Sequence, residues 1–248
     1  MQVDETRIQC LREPGRKPTT MSWAWLFCSC AQDVPIYLFN YNPSRGHEVP
    51  DAFADPGWSG TIVADGHSAN SKLLEKRGGI GRVSCLGHIS RKFKDALKGS
   101  EDAGPAAVKA TAAAAVVRMI NRIFRADNAF DGMEPAGRAE AREREPRPLL
   151  DELVEWCGAT DPSVVPGTLL DKALTYARNQ LPYLHNALSE GRAPLENNRA
   201  EQAIRPFAVG RHAWLFSDTP KGAETSCGIY SIVCTARANG LAPMRYLE

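Results

Sequence analysis

The stretch "SWAWLFCSC", residues 22 to 30, constrains the fold more than any other part of this chain: Trp23, Trp25 and Phe27 alternate with Ala24, Leu26 and Cys28. Successive side chains of a β-strand point to opposite faces. Both faces of this strand are therefore apolar, and both must be covered, as in a central strand with layers on each side. "QVDETRIQCL" and "PIYLFNY" read as its neighbours, separated from it by "REPGRKPTT" and the short "AQDV". "GTIVADG" and "GRVSCLGH" supply a fourth and a fifth strand, with the helix-compatible "SANSKLLEKRG" between them and "ISRKFKDALKG" after. Strands that alternate with helices predict an α/β fold built on a mixed sheet.

From about residue 100 the pattern turns helical. "GPAAVKATAAAAVVRMINRIFRAD" carries Val108, Ala112, Ala115, Met119 and Ile123 along one face, and Leu170, Leu174, Leu181, Leu184 and Leu188 mark a second helix, kinked at Pro182. "GRAEAREREPRP" between them reads as a charged connector. Mixed structure then returns with a helix around Glu201, a short "AWLF" segment, and a helix through "SCGIYSIVCTARANG" closed by Gly240. With 248 residues and 43% hydrophobic content, the chain has room for one large domain or a core with an insertion. Its seven cysteines form an odd set without a disulfide-type spacing, and neither an apolar run of about 18 residues nor a basic-then-apolar leader is present. These features predict a reduced, cytoplasmic protein with no membrane partner.

The net charge is only +1, yet residues 61–100 hold eight basic against three acidic side chains. Arg91, Lys92 and Lys94 lie in this excess and are candidates for phosphate contacts, a solvated basic helix face being the alternative. Three carboxylates fall at informative points of the pattern: Asp4 inside the first strand, Asp65 at the end of the fourth, and Glu201 on the helix of "PLENNRAEQAIRP". In that helix Asn197 or Asn198 can cap the first free amides, while Ala200, Ala203, Ile204 and Phe207 form a buried stripe. Asn198, Glu201 and Arg205 share another face, where spacing alone also allows a solvated Glu201–Arg205 ion pair. Adjacent first and fourth strands would bring the two aspartates together, and a helix across them would add the glutamate. Three packed anions repel one another unless protons or cations intervene. Hard divalent ions neutralise such a site and leave positions open for water and phosphate oxygens, the arrangement of two-metal phosphoryl transfer.

"DET" at 4–6, "YNPSRG" at 41–46, "GTIVADGH" at 60–67, "CLGHISRKF" at 85–93, "NNRAEQAIRP" at 197–206, "VGRHAWLFS" at 209–217 and "YSIVCTARANGLAP" at 230–243 run nearly the length of the chain. Taken together they resemble the catalytic region of the insertion sequence 66 family of bacterial transposases, which carry a DDE triad on a ribonuclease H-like fold. The resemblance implies a ribonuclease H-like core in residues 1–99 and 191–248, interrupted by a helical insertion over 100–190. It implies Asp4, Asp65 and Glu201 as catalytic residues that bind two Mg²⁺ or Mn²⁺ ions. It implies metal-dependent DNA cleavage and strand transfer, with DNA (element ends and target) as partner, a homo-oligomer on DNA, and accessory proteins of the element. A structure-selective nuclease and a silent DNA-binding remnant are the competing readings.

Arg205 and the paired asparagines would then surround a catalytic glutamate, orienting it or meeting phosphates. Cys85 and His88 resemble a C-x-x-H pair found here in several DDE families; with no second pair at zinc spacing, we read them as packing near the site. His67 stands where the family usually has an aromatic residue and is read as a site neighbour. Two further departures are Glu196 in place of an aspartate and Leu86-Gly87 in place of a Trp-Ala pair. Only "MQV" precedes Asp4, and no helix-turn-helix or zinc-finger pattern is present, so the reading expects weak, sequence-indifferent nicking from these residues by themselves.

Overall fold

The computed structural model describes residues 1–30, 33–55, 57–66, 79–98, 111–159 and 164–247. The helix expected over "SANSKLLEKRG", the side chain of His67 and the first residues of the Ala-rich helix lie outside them. No helix among the described residues is long and apolar enough to cross a membrane. The chain divides into two compact units, one formed by Met1–Gly81 with Asn197–Glu248 and the other by Arg82–Glu196.

The strands are β1 (Gln2–Gln9), β2 (Met21–Cys28), β3 (Tyr37–Asn42), β4 (Gly60–Ala64) and β5 (Ile80–Ser84), in the sheet order β3-β2-β1-β4-β5. β2 is antiparallel to both β1 and β3, whereas β1 and β4 run parallel with Gln2 opposite Val63. The alternation read in β2 is realised. Leu26 joins Ile8, Phe39, Ala200, Ile204 and Phe207 in one cluster, while Trp25 and Phe27 join Val3, Val49 and Ile62 in another on the opposite face. Helix α1 (Glu48–Phe53) covers the second face, where Phe53 stacks on Phe27. The first face is covered by two later helices, α8 (Asn198–Trp214) and α9 (Pro220–Ala238). The fold is thus a mixed α/β sheet flanked by helices.

β3 is a sheet edge, and its backbone would be open to pairing with another chain. Helix α9 closes it with side chains one turn apart. The Tyr37 amide donates to Thr235 Oγ1 at 3.0 Å and the Phe39 amide to Ser231 Oγ at 2.7 Å, and Asn239 Nδ2 donates to the Pro35 carbonyl at 2.8 Å. A Ser231→Ala, Thr235→Val double variant leaves these two amides without partners. It is expected to lose about 2–4 kcal/mol in urea unfolding and to associate through the bared edge. Unchanged stability and unchanged sedimentation would refute this role.

In the second unit, α2 (Leu86–Lys98) packs on α3 (Ala112–Asn128) and on α6 (Leu169–Gln180). Between these come α4 (Pro135–Arg144) and α5 (Pro146–Ala159), and a 3-10 turn (Leu181–Leu184) containing Pro182 leads to α7 (His185–Ser189). "GRAEAREREPRP" is therefore no connector: it forms most of α4 and the start of α5. Its charge misled because Arg138 and Arg142, one turn apart, face inward. Arg142 is fully buried and reaches Asp127 of α3 at 2.6 Å, and Arg138 reaches the same carboxylate at 2.9 Å. The loop after α7 passes so close that a Cβ on Gly191 would lie 1.9 Å from the Pro135 carbonyl oxygen, which makes glycine obligatory there.

"AWLF" is likewise no separate element. α8 runs through Pro206 to Trp214, and Leu215, with φ of 61°, turns the chain so that Ser217 bridges to Cys10 beside β1. α9 begins at the cap Thr219, whose side chain accepts from the Gly222 amide at 3.1 Å, and ends at Asn239 before Gly240, whose φ is 72°. α10 (Pro243–Leu247) follows.

Candidate active site

Parallel pairing of β1 and β4 sets the geometry of the first two carboxylates. Gln2 lies opposite Val63, so two residues further on Asp4 comes level with Asp65, which immediately follows β4. The third comes from α8. Ala200, Ile204 and Phe207 are buried against the sheet, with Ala203 packed beside them. Glu201, one step around the helix from Ala200, stands in its first turn.

The electrostatics of Asp4 register this convergence. Its carboxyl is pushed up to about 7, first by burial, then by the charge of Glu5, with Asp65 and Glu201 adding to the rise; the Glu5 amide, donating to Asp4 Oδ1 at 2.9 Å, partly offsets it. Asp65 and Glu201 therefore both lie within electrostatic reach of Asp4 in the first unit. Hard carboxylate oxygens crowded with their negative charge are the donor set that Mg²⁺ or Mn²⁺ takes.

Asn197 begins α8, yet its side chain does not cap the helix. It is buried and turned toward the strand: Nδ2 donates to the Val3 carbonyl at 2.7 Å, and Oδ1 accepts from Gln2 Nε2 at 3.3 Å. The helix that carries Glu201 is thereby tied to the strand residue next to Asp4. Asn198 and Arg205 are exposed.

Glu5 and Arg45 had no role in the sequence reading, although each lies in a quoted motif. Burial and the charge of Asp65 raise the Glu5 carboxyl, and Arg45, whose Nε donates to Glu5 Oε1 at 2.8 Å, works against the rise. Arg45 in turn lies 4.6 Å from the centroid of the Trp23 ring. "DET" and "YNPSRG" are thus two halves of one ion pair beside the carboxylates, a link that no local spacing could reveal.

In the second unit Cys85 follows β5 directly and is buried, and His88 lies in the first turn of α2. The Leu86 amide donates to the Leu195 carbonyl at 2.8 Å. Two of the departures from the family pattern, Gly87 and Glu196, are neighbours here, since a Cβ on Gly87 would sit 3.5 Å from Glu196 Oε2. Arg91, Lys92 and Lys94 are exposed on α2, with Lys92 Nζ 5.7 Å from the centroid of the Tyr176 ring.

Three proteins of Sinorhizobium fredii (strain NBRC 101917 / NGR234) are similar to this chain. "Uncharacterized protein y4qI" is 26% identical over 258 residues, covering 99% of this chain and 46% of its own length. "Uncharacterized protein y4jD" is 26% identical over 258 residues, covering 98% and 48%. "Uncharacterized protein y4hP" is 24% identical over 226 residues, covering 86% and 40%. The chain thus spans less than half the length of these curated relatives. No solved structure matches it. The family model described as "Transposase IS66 family" matches residues 1–225, nearly the whole chain, and on that match the chain belongs to the IS66 family of transposases.

Proposed function

We propose that the chain is the catalytic region of a DDE transposase: a ribonuclease H-like core in residues 1–99 and 191–248, with a helical insertion over 100–190, that cleaves DNA at element ends and joins the freed 3′ hydroxyl to target DNA. The observation that carries this reading is geometric: parallel β1 and β4 bring Asp4 level with Asp65, and Asn197 ties the helix bearing Glu201 to Val3 beside Asp4, so that both charges help to raise the Asp4 carboxyl. Asp4, Asp65 and Glu201 would hold two Mg²⁺ or Mn²⁺ ions. Such ions, when bound, lower the pKa of coordinated water and neutralise charge on phosphate oxygens. The chain's own residues keep the carboxylates in place: β1 and β4 fix Asp4 and Asp65, and the Asn197 contacts hold α8 and Glu201 against them. Arg91, Lys92, Lys94 and Arg205 are assigned to DNA phosphates, and a homo-oligomer on DNA, with accessory proteins of the element, to the working assembly.

The test is Glu201→Gln, which keeps the shape and removes the charge. Metal-dependent cleavage and strand transfer are expected to fall by on the order of a hundredfold or more, with a melting transition no lower than that of the unaltered chain. Full activity of this variant would overturn the assignment. Joined products would set a transposase apart from a nuclease, and DNA binding with no metal-dependent cleavage by the unaltered chain would favour a silent remnant.

A further inference from the structure

Arg199 and Glu201 stand on either side of the buried Ala200, and at about 100° per residue they leave α8 toward opposite flanks. On the Arg199 flank lies a groove of about 340 Å³, lined by Tyr37, Arg199, Gln202, Pro206 and Arg237 among others, with no carboxylate in the lining. Arg199 is fixed before any ligand arrives. Its Nε donates to Tyr37 Oη at 2.9 Å, its Nη1 donates to the Cys30 carbonyl, and its guanidinium lies 5.4 Å from the centroid of the Tyr37 ring. An anchored guanidinium meets an anion with little further ordering cost. Arg237, in the last turn of α9, is exposed and brings a second positive charge to the groove, where Gln202 adds an amide and Pro206 an aliphatic wall.

We propose that this groove is a further contact for the DNA backbone, taking a phosphodiester between Arg199 and Arg237 on the flank of α8 away from Glu201. Paired charged donors without an acidic partner recognise phosphate, and the amide and aliphatic wall suit the adjoining sugar. The inference rests on the DNA reading above. It places a strand on both flanks of one helix.

The experiment is fluorescence anisotropy of the full chain with a labelled duplex of random sequence, between 50 and 200 mM salt. Arg237→Gln removes an exposed charge and is expected to reduce the slope of log K against log salt by about 0.9, which at 0.1 M salt is roughly an eightfold loss of affinity, with an unchanged melting transition. Arg199→Gln is expected to reduce the slope similarly. If the unaltered chain binds the duplex and both variants keep its slope, the groove is no DNA contact while the DNA reading stands. If the unaltered chain binds no DNA at all, that reading fails and takes this inference with it. Unchanged duplex binding together with loss of binding to a polyglutamate peptide in Arg237→Gln would give the groove to an acidic peptide and overturn the proposal.

Discussion

Replacing Arg142 with methionine is expected to cost the helical unit roughly 3–5 kcal/mol, a large share of the stability a domain of this size usually has. Its guanidinium is fully buried, with Nε 2.6 Å from Asp127 Oδ1 and Nη2 3.0 Å from Oδ2. Nη1 donates at 2.8 Å to the carbonyls of both Ala187 and Ala193. One side chain thus ties α3, α4, α7 and the following loop together. Methionine fills much of the volume but leaves the Asp127 carboxylate with Arg138 as its remaining charge partner in this network and takes the donor from two carbonyls. Leaving a buried charge and buried acceptors short of partners is what makes such a loss large, rather than the net worth of the pair. Arg147→Met is the control, since its pair with Glu143 is partly exposed and one turn away on the same helical run; it is expected to change stability by less than about 1 kcal/mol. Equal urea midpoints for the two variants would show that the network is not what holds these helices.

The same network marks the boundary of what was legible in the residues. Local periodicity carries burial when the buried groups are apolar: the two-faced strand around Trp25, the Ala200–Ile204–Phe207 stripe and the break at Pro182 all appear where their spacing puts them. It fails when burial is polar and the partner is distant in sequence. Arg138 and Arg142 read as a solvated run because Asp127 lies in another helix. Asn197 reads as a cap because helix starts favour asparagine, but its amide has a better partner in the Val3 carbonyl, 194 residues away. Ser231 and Thr235 look like polar interruptions of an apolar helix until the free amides of β3 are beside them. The candidate site was legible to the extent that its carboxylates sit at strand and helix positions. Glu5 and Arg45 were not, because an ion pair between two strand-side segments has no period.

Removing the charge of Asp4 is expected to stabilise the protein in the absence of divalent ions. Its carboxyl is pushed up from the model-compound value of 3.8 to about 7, chiefly by burial and by the neighbouring Glu5 charge. A raised acid holds its proton more tightly in the folded state than in the unfolded one. Between about pH 4 and pH 7 the folded state therefore binds more protons, and stability must fall as the pH rises through that window. The full shift corresponds to about 4 kcal/mol as an upper bound. Glu5, also raised, acts in the same direction. Melting in a chelator should thus show a less stable protein at pH 8 than at pH 5, whereas Asp4→Asn should show a flatter profile and a gain of roughly 2–4 kcal/mol at pH 8. Added Mg²⁺ or Mn²⁺ should raise the melting point of the unaltered chain more at pH 8 than at pH 5, because protons compete for the same oxygens, and should do little for Asp4→Asn. A flat pH profile in the unaltered chain, together with no gain in the variant, would mean that the carboxylates do not share one buried site, and the metal assignment would fall with it.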